Sequence, residues 1–247
     1  MDATAASDID RNTAAAGLLR LSVIVPLAPG ETAWRGLVDE LAAVLPDDAE
    51  LILVHADASS PLPAPVPPPG PPLFRQLNSA PGRARQQNAG AHTARGRWLW
   101  FVHADSRLQP GTLPSLWRFL QRRDDALGFF ELAFDRDGPR LAALNACGAN
   151  LRSHWLKMPF GDQGLLLPAH CFTALGGFDE HVRYGEDHLL VWTARRAGLP
   201  IVGVGAALQT SARKYALHGW WRTTSRHLWL TLIQAWPQWR RLRRERR

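Results

Sequence analysis

The sequence predicts an α/β domain built on a mainly parallel sheet, and three observations carry that expectation. Short apolar runs, "LSVIVPL" (21–27), "ELILVHAD" (50–57), "LFRQL" (73–77) and "WLWFV" (98–102), alternate with stretches of helical periodicity. Strands alternating with helices make βαβ units, whose strands lie parallel and are covered on both faces. Two of the runs end in the same polar pattern, His55-Ala56-Asp57 and His103-Ala104-Asp105. In such sheets ligands bind at the carboxyl ends of the strands.

Each element follows from its own residues. Residues 21–27 are short, β-branched and uncharged, as a buried strand requires. In "ETAWRGLVDELAAVLP", Trp34, Leu37, Leu41 and Leu45 recur at helical spacing. Eight prolines in residues 61–72 exclude a helix or a central strand and predict a surface loop. A polar, Ala-rich helix is expected over 82–96 and another after Pro110. A strand is expected at 128–135, a longer helix around 139–156, and a turn at "GGFDE" (176–180), where Gly176 and Gly177 supply the freedom it needs. The segment 186–198 opens with Glu186 and Asp187 and closes on Gly198, which suits the dipole and the C-terminal cap of a helix. "IVGVG" (201–205) is the last expected strand.

The totals narrow the function. The 247 residues are 46% hydrophobic and 21% charged, ordinary for one large globular domain. The two cysteines, Cys147 and Cys171, stand in no CxxC or His/Cys pattern, so no disulfide framework or zinc site is encoded and a cytoplasmic setting is expected. Residues 1–19 read as a disordered tail without a signal-peptide core, and no apolar run is long enough to span a membrane. From His218 onward there are eight arginines against one acid, Glu245, which accounts for the chain's entire net +7. The basicity is therefore a tail and not a nucleic-acid-binding face.

The chemistry concentrates at the strand ends. A carboxylate there sits at the rim of a crevice, and Asp is a hard oxygen ligand suited to Mg²⁺ or Mn²⁺ on a diphosphate. Taken alone, His-Ala-Asp at 103–105 also fits a simple turn before the helix that follows. The order of motifs says more: acids after the second strand, "GRARQQNAGAHTARG", the apolar strand ending in "HAD", then "GDQG" (161–164), "GGFDE" and "GED" heading a helix. In this order the chain resembles the family 2 glycosyltransferases of GT-A fold. Within them it resembles a bacterial branch with His-Ala-Asp in place of the Asp-x-Asp signature. The resemblance spans roughly residues 20–220.

What the resemblance implies is specific. Asp105 corresponds to the metal-binding acid on the donor diphosphate, and a divalent cation, Mn²⁺ or Mg²⁺, is implied with it. His103 replaces the first acid of the signature. Pro26 and Leu27 fall where the first strand lines the nucleotide, and Arg85 and Asn88 in the helix that flanks the donor. Asp187 matches the catalytic base, with Glu186 beside it, and Gly161, Asp162 and Gln163 match a loop near the acceptor. A single displacement with inversion is implied. The second-strand motif departs from the family: His55 and Ala56 stand at positions that are usually acidic, with Asp57 displaced, so a uridine donor is not assured.

Three segments are expected: the tail 1–19, the transferase domain 20–217, and a Trp/Arg-rich helix with a basic end over 218–247. The last holds five of the eleven tryptophans, with Trp221, Leu228, Leu232 and Trp236 near one helical face beside Trp229 and Ile233. An apolar Trp stripe followed by arginines suits a helix lying on an anionic membrane, and equally a helix packed on the domain. Peripheral attachment to the inner face of the cell membrane and a hydroxyl acceptor, which a lipid could carry, complete the expectation. Two rivals are a nucleotidyltransferase and a non-catalytic membrane-bound scaffold. The first wants a Gly-rich, Lys/Arg-bearing loop after the first strand, which "LAPGETAW" does not provide. Intact Asp105 and Asp187 weigh against the second.

Overall fold

A computed structural model of the protein describes residues 19–57, 72–182 and 184–245. The expected tail and most of the proline loop lie outside them. β1 (Leu19–Leu27) is the axis of the sheet, pairing in parallel with β2 (Ala49–His55) on one side and with β4 (Gly96–Phe101) on the other. β3 (Leu73–Asn78) adds in parallel outside β2. The chain thus runs outward from β1 to β3 and then returns to the far side of β1. That reversal between β1 and β4 opens a crevice at their carboxyl ends.

Beyond β4 the sheet continues as β7, β6, β8 and β5, giving eight strands in the order β3-β2-β1-β4-β7-β6-β8-β5. β6 (Leu127–Phe134) and β8 (Ile201–Thr210) are parallel, whereas β7 (Leu166–Pro168) and β5 (Arg107–Leu108) are antiparallel to their neighbours. The last two carry three and two residues, too few for any periodicity to announce them.

The apolar density of β4 has a direct cause. Trp98 and Trp100 point into one core layer with Val23, Leu37, Leu116 and Phe130, beneath α1 (Trp34–Ala42) and α3 (Thr112–Arg122). Leu99 and Phe101 point into the other, with Ile24, Ile52, Phe172 and Phe178. That second layer is covered by α2 (Arg83–Thr93), by α5 (Ala169–Ala174), which follows α4 (Ala142–Leu156), and by α6 (Glu186–Arg196). A strand buried on both faces has no solvent side on which to alternate. Helices α7 (Arg213–His218) and α8 (Trp220–Glu245) close the chain, and Pro237 lies inside α8.

One charge lies within this frame. Glu50 on β2 is fully buried and accepts hydrogen bonds from Ser22 Oγ (2.6 Å), the Arg95 amide (2.6 Å) and Arg75 Nη1 (3.2 Å). A buried carboxylate is tolerable only when so satisfied. Ser22 Oγ accepts in turn from the Gly96 amide (2.8 Å), so the network pins the start of β4 to β1 and β2. A Cβ on Gly96 would stand 2.4 Å from the Ser22 amide nitrogen and 2.6 Å from the Leu21 carbonyl carbon. Backbone cannot yield as a side chain can. Gly96→Ala is therefore expected to lower stability by about 1–3 kcal/mol, read from the urea midpoint; a wild-type midpoint would contradict this packing.

Candidate active site

The end of β4 turns sharply. The Val102 amide donates to Ile24 O (3.0 Å), and the Ser106 amide closes a turn on His103 O (3.0 Å). This leaves His103 and Asp105 half-buried at the crest beside β1. Among the described residues, no hydrogen bond or ion pair engages the Asp105 carboxylate. His103 Nε2 is buried without a partner. Burial, followed by the positive charges of Arg83 and Lys214, holds this imidazole well below its ordinary range, so the ring is neutral.

A second segment meets the crest. The 3₁₀ turn Gly161–Gln163 places the Gly161 amide against Asp187, and its N–H donates to Asp187 Oδ2. A Cβ on Gly161 would lie 2.9 Å from Asp187 Oδ2 and 3.1 Å from His103 Nε2, so glycine lets these two groups converge. Asp187 Oδ1 accepts from the His188 amide (2.8 Å) in the first turn of α6, where free amides and the helix dipole favour an anion. Gly185 caps α6 in the left-handed region at φ +83°, with Gln234 of α8 packed against it.

The neighbouring acids differ. Asp162 Oδ1 is buried and unpartnered. Burial pushes its carboxyl upward, the Arg152 charge opposes that, and Asp187 adds to it. Arg152 stacks 3.7 Å from the Phe160 ring centroid and donates through Nε to Met158 O (2.9 Å). Glu186 is buried, and its carboxyl is raised first by that burial and then by Asp187, against Arg83 at 3.7 Å. A cleft of about 470 Å³ opens here, its walls including Arg83, Arg85, Glu180, Glu186 and Asp187.

The residues expected from sequence distribute unevenly. His103, Asp105, Gly161, Asp162, Glu186 and Asp187 gather around the crest. Pro26 and Leu27 end β1 beside it, and half-buried Asp57 follows β2. His55 Nε2 bonds Gln76 Oε1 (2.8 Å), a cross-strand link between β2 and β3. Arg85 faces the cleft, 3.9 Å from Glu180. Asn88 is engaged elsewhere. Its Nδ2 donates to Phe178 O (2.9 Å) and Glu180 Oε1 (2.8 Å), and its Oδ1 accepts from the Phe178 amide (2.9 Å). It clamps the 176–180 turn. Gln163 is likewise spent on structure. It is fully buried, accepts from Ser153 Oγ (2.7 Å) and the Phe160 amide (3.2 Å), and donates to Phe130 O (3.1 Å).

Other contributors carried no motif. Buried Gln86 donates to Leu27 O (2.8 Å) and Val54 O (2.7 Å), holding the ends of β1 and β2 together. Arg152 and Lys214, the latter one of two lysines in the chain, bring positive charge to the acids.

The donor set accommodates a divalent cation of the Mg²⁺ or Mn²⁺ kind. Such ions take one or two carboxylates and complete their shell with water and substrate phosphates. A half-buried, unengaged Asp105 beside a buried, unpartnered imidazole nitrogen fits that arrangement. No cage of three ligand atoms converges there among the described residues. The convergence that does occur, Asp125, His170 and Cys171, lies at the amino-terminal end of β4, away from the crest.

A crevice at the β1/β4 reversal, with one carboxylate on its crest and another at a helix start, lies where open α/β sheets bind their ligands. Residues 70–178 match the model of the family described as Glycosyl transferase family 2. No curated protein matches the sequence. Among solved structures, S. aureus TarS 1–349 in complex with UDP-GlcNAc aligns at 18% identity and TM-score 0.56, covering 78% of this chain and 58% of that one. The mannosyltransferase PcManGT of Pyrobaculum calidifontis, in complex with GDP-Man and Mn²⁺, aligns at 16% identity and TM-score 0.60, covering 92% and 68%. At such identities the likeness is one of fold. This chain spans less than two thirds of the TarS chains, and 37% of the longer one.

The buried histidine of α6 gives a pH test. His188 Nε2 accepts from Trp192 Nε1 (2.9 Å), which requires a neutral ring. Burial is the first cause holding it below its ordinary 6.5, with Arg152 and Arg195 acting in the same sense and Asp187 and the Gln234 backbone in the opposite one. Above about pH 6.5 the ring is neutral in both folded and unfolded chains. Below it the unfolded chain takes up a proton that the folded one resists, so this contribution to stability is lost as pH falls. His188→Gln keeps an acceptor for Trp192 but cannot titrate. Its melting temperature is expected to fall less steeply than wild type between about pH 7 and 5, and equal slopes would contradict a neutral buried ring.

Proposed function

We propose that this protein is a metal-dependent, inverting glycosyltransferase that moves a sugar from a nucleoside-diphosphate donor to a hydroxyl acceptor. The observation that carries this is the convergence of His103 Nε2 and the Asp187 carboxylate on Gly161, with Asp105 two residues beyond His103 in the turn that follows β4.

The donor is read as lying along the crest, with Pro26, Leu27 and Asp57 toward its nucleoside and Arg85 and Arg83 along its flank. A divalent cation held by Asp105 would neutralise the charge that grows on the departing diphosphate. Asp187 accepts the proton of the acceptor hydroxyl as that oxygen bonds to the anomeric carbon. The bond from that carbon to the diphosphate oxygen breaks on the opposite face, and the diphosphate leaves with the electron pair. Loss of such a base costs roughly 10²–10⁴-fold in rate. The Gly161 N–H holds the carboxylate in one orientation, which supports in-line geometry. Burial raises the carboxyls of Glu186 and Asp162, whereas Asp187 is held by two backbone N–H donors. Neutral His103 donates or accepts a hydrogen bond without adding charge.

The acceptor is proposed to come from a membrane. No helix among the described residues is long and apolar enough to cross one. The Trp/Arg-rich α8 supports peripheral attachment to an anionic surface, on the cytoplasmic side. The other side of α8 packs on Gly185, two residues from Asp187.

Donor binding is the first test. Because the solved relatives hold uridine and guanosine donors, both nucleoside diphosphates are assayed, each with and without Mn²⁺. A ligand that binds only the folded state raises its melting temperature. One of them is expected to stabilise the protein with Mn²⁺ present and not without it, and Asp105→Ala is expected to abolish the difference. Equal stabilisation of wild type with and without metal would remove Asp105 from this role.

A further inference from the structure

Two bare apolar stripes lie on neighbouring helices. On α4, Leu144, Leu151 and Trp155 recur at helical spacing, and Trp155 is 80% exposed. The opposite side of α4, with Ala142, Ala146 and Ser153, is buried. On α8, Trp221, Leu228, Trp229, Leu232 and Trp236 are likewise exposed, Trp221 at 78%. Exposed stripes of large apolar side chains mark interaction sites.

α8 is fastened by its other, largely polar side. Trp220 Nε1 donates to Asn145 Oδ1 (2.6 Å), Asn145 Nδ2 to Thr224 Oγ1 (3.0 Å), and Arg196 Nη1 to Gln238 Oε1 (2.8 Å). Leu242 joins Met158 and Trp192 in a small buried cluster. Asn145 thus joins the amino-terminal turns of α4 and α8, while the rest of α8 is held on α6 and on Met158 just beyond α4. Both α4 and α8 turn their apolar stripes away from the body of the domain.

We propose that α4 and α8 form one composite surface that seats the protein on an anionic lipid bilayer; this rests on the peripheral attachment proposed above and adds α4 to it. Charge selects the occupant. Arg222 and Arg226 flank the stripe on α8, and Arg240, Arg241, Arg243 and Arg244 extend it, while the chain before His218 is neutral. A second copy of this chain would bring an equal positive charge to the same face and be repelled. An anionic headgroup layer is attracted, and tryptophans are the side chains that settle at its boundary. Two helices joined at Asn145 also fix the orientation of the domain on the surface, where one alone would leave it free to roll about its axis.

The test is sedimentation of the full chain with vesicles of phosphatidylglycerol and phosphatidylcholine, beside phosphatidylcholine alone. Wild type is expected to bind the anionic vesicles, and far less the neutral ones. The double variant Leu151→Glu/Trp155→Glu, on exposed positions of α4, is expected to lose about tenfold or more in partitioning. Trp229→Glu/Ile233→Glu on α8 is expected to do the same. Both should keep the wild-type melting temperature and nucleotide-dependent stabilisation, which separates this proposal from the transferase assignment. If only the α8 pair weakens binding, the tail attaches alone and the composite surface is wrong. If wild type ignores vesicles and light scattering shows a dimer that these substitutions dissolve, the occupant is a second copy and the proposal is overturned.

Discussion

The hydrogen bond from the Gly161 amide to Asp187 ties together the two segments on which the site depends. One is the turn after α4, the other the start of α6, and between them stands the imidazole at the end of β4. Only a residue without a side chain fits at 161, because a Cβ would enter the space that Asp187 Oδ2 and His103 Nε2 share. The turn is held rigid from below. Gln163 spends its amide on Phe130, Phe160 and Ser153, so the Gly161 N–H cannot swing away. Asp187 is thereby oriented by a backbone donor and by the first turn of its own helix, neither of which loses conformational freedom when substrate arrives.

The same logic explains why so apolar a strand ends in polar residues. β4 is covered on both faces, so every side chain from Trp98 to Val102 is buried. The crevice begins where the covering layers stop, just beyond Phe101. Ser106 closes its turn there, and His103 and Asp105 are the first residues free of both layers. The abrupt change from tryptophan to aspartate marks the edge of the core. A rigid core strand ending at a cleft is what a site needs when one carboxylate must be fixed to a fraction of an ångström.

Much of this was legible in the sequence, and the residues that were not have a common reason. The strands β1 to β4 and helix α6 follow from runs and caps that act locally. Asp105 and Asp187 stand out because each ends or begins such an element. Arg152 and Lys214 lie on helices without motif and reach the site only through tertiary packing. Glu50 reads as a strand edge, yet its carboxylate is buried by partners 25 or more residues distant along the chain. Asn88 and Gln163 sit in the expected segments but hold loops, since spacing locates a side chain and says nothing of what its amide faces. In α8 the periodicity identified the apolar stripe correctly. It could not show that Thr224, Gln234 and Gln238 make the docked side, since polar contacts leave no hydrophobic signature.

The assignment of Asp187 as proton acceptor is the centre of this picture. Single-turnover release of nucleoside diphosphate, with saturating donor of the base selected by thermal stabilisation, measures it most directly. Asn at 187 keeps the size and, through Oδ1, can still accept from the His188 amide, but its Nδ2 cannot accept from Gly161 and the side chain cannot take the proton. Asp187→Asn is expected to leave donor affinity nearly unchanged and to slow release by at least about a hundredfold, the low end for loss of a general base. Release at a near wild-type rate would contradict the role of Asp187 and move the proton acceptor to another carboxylate of the crevice, Asp162 first among them.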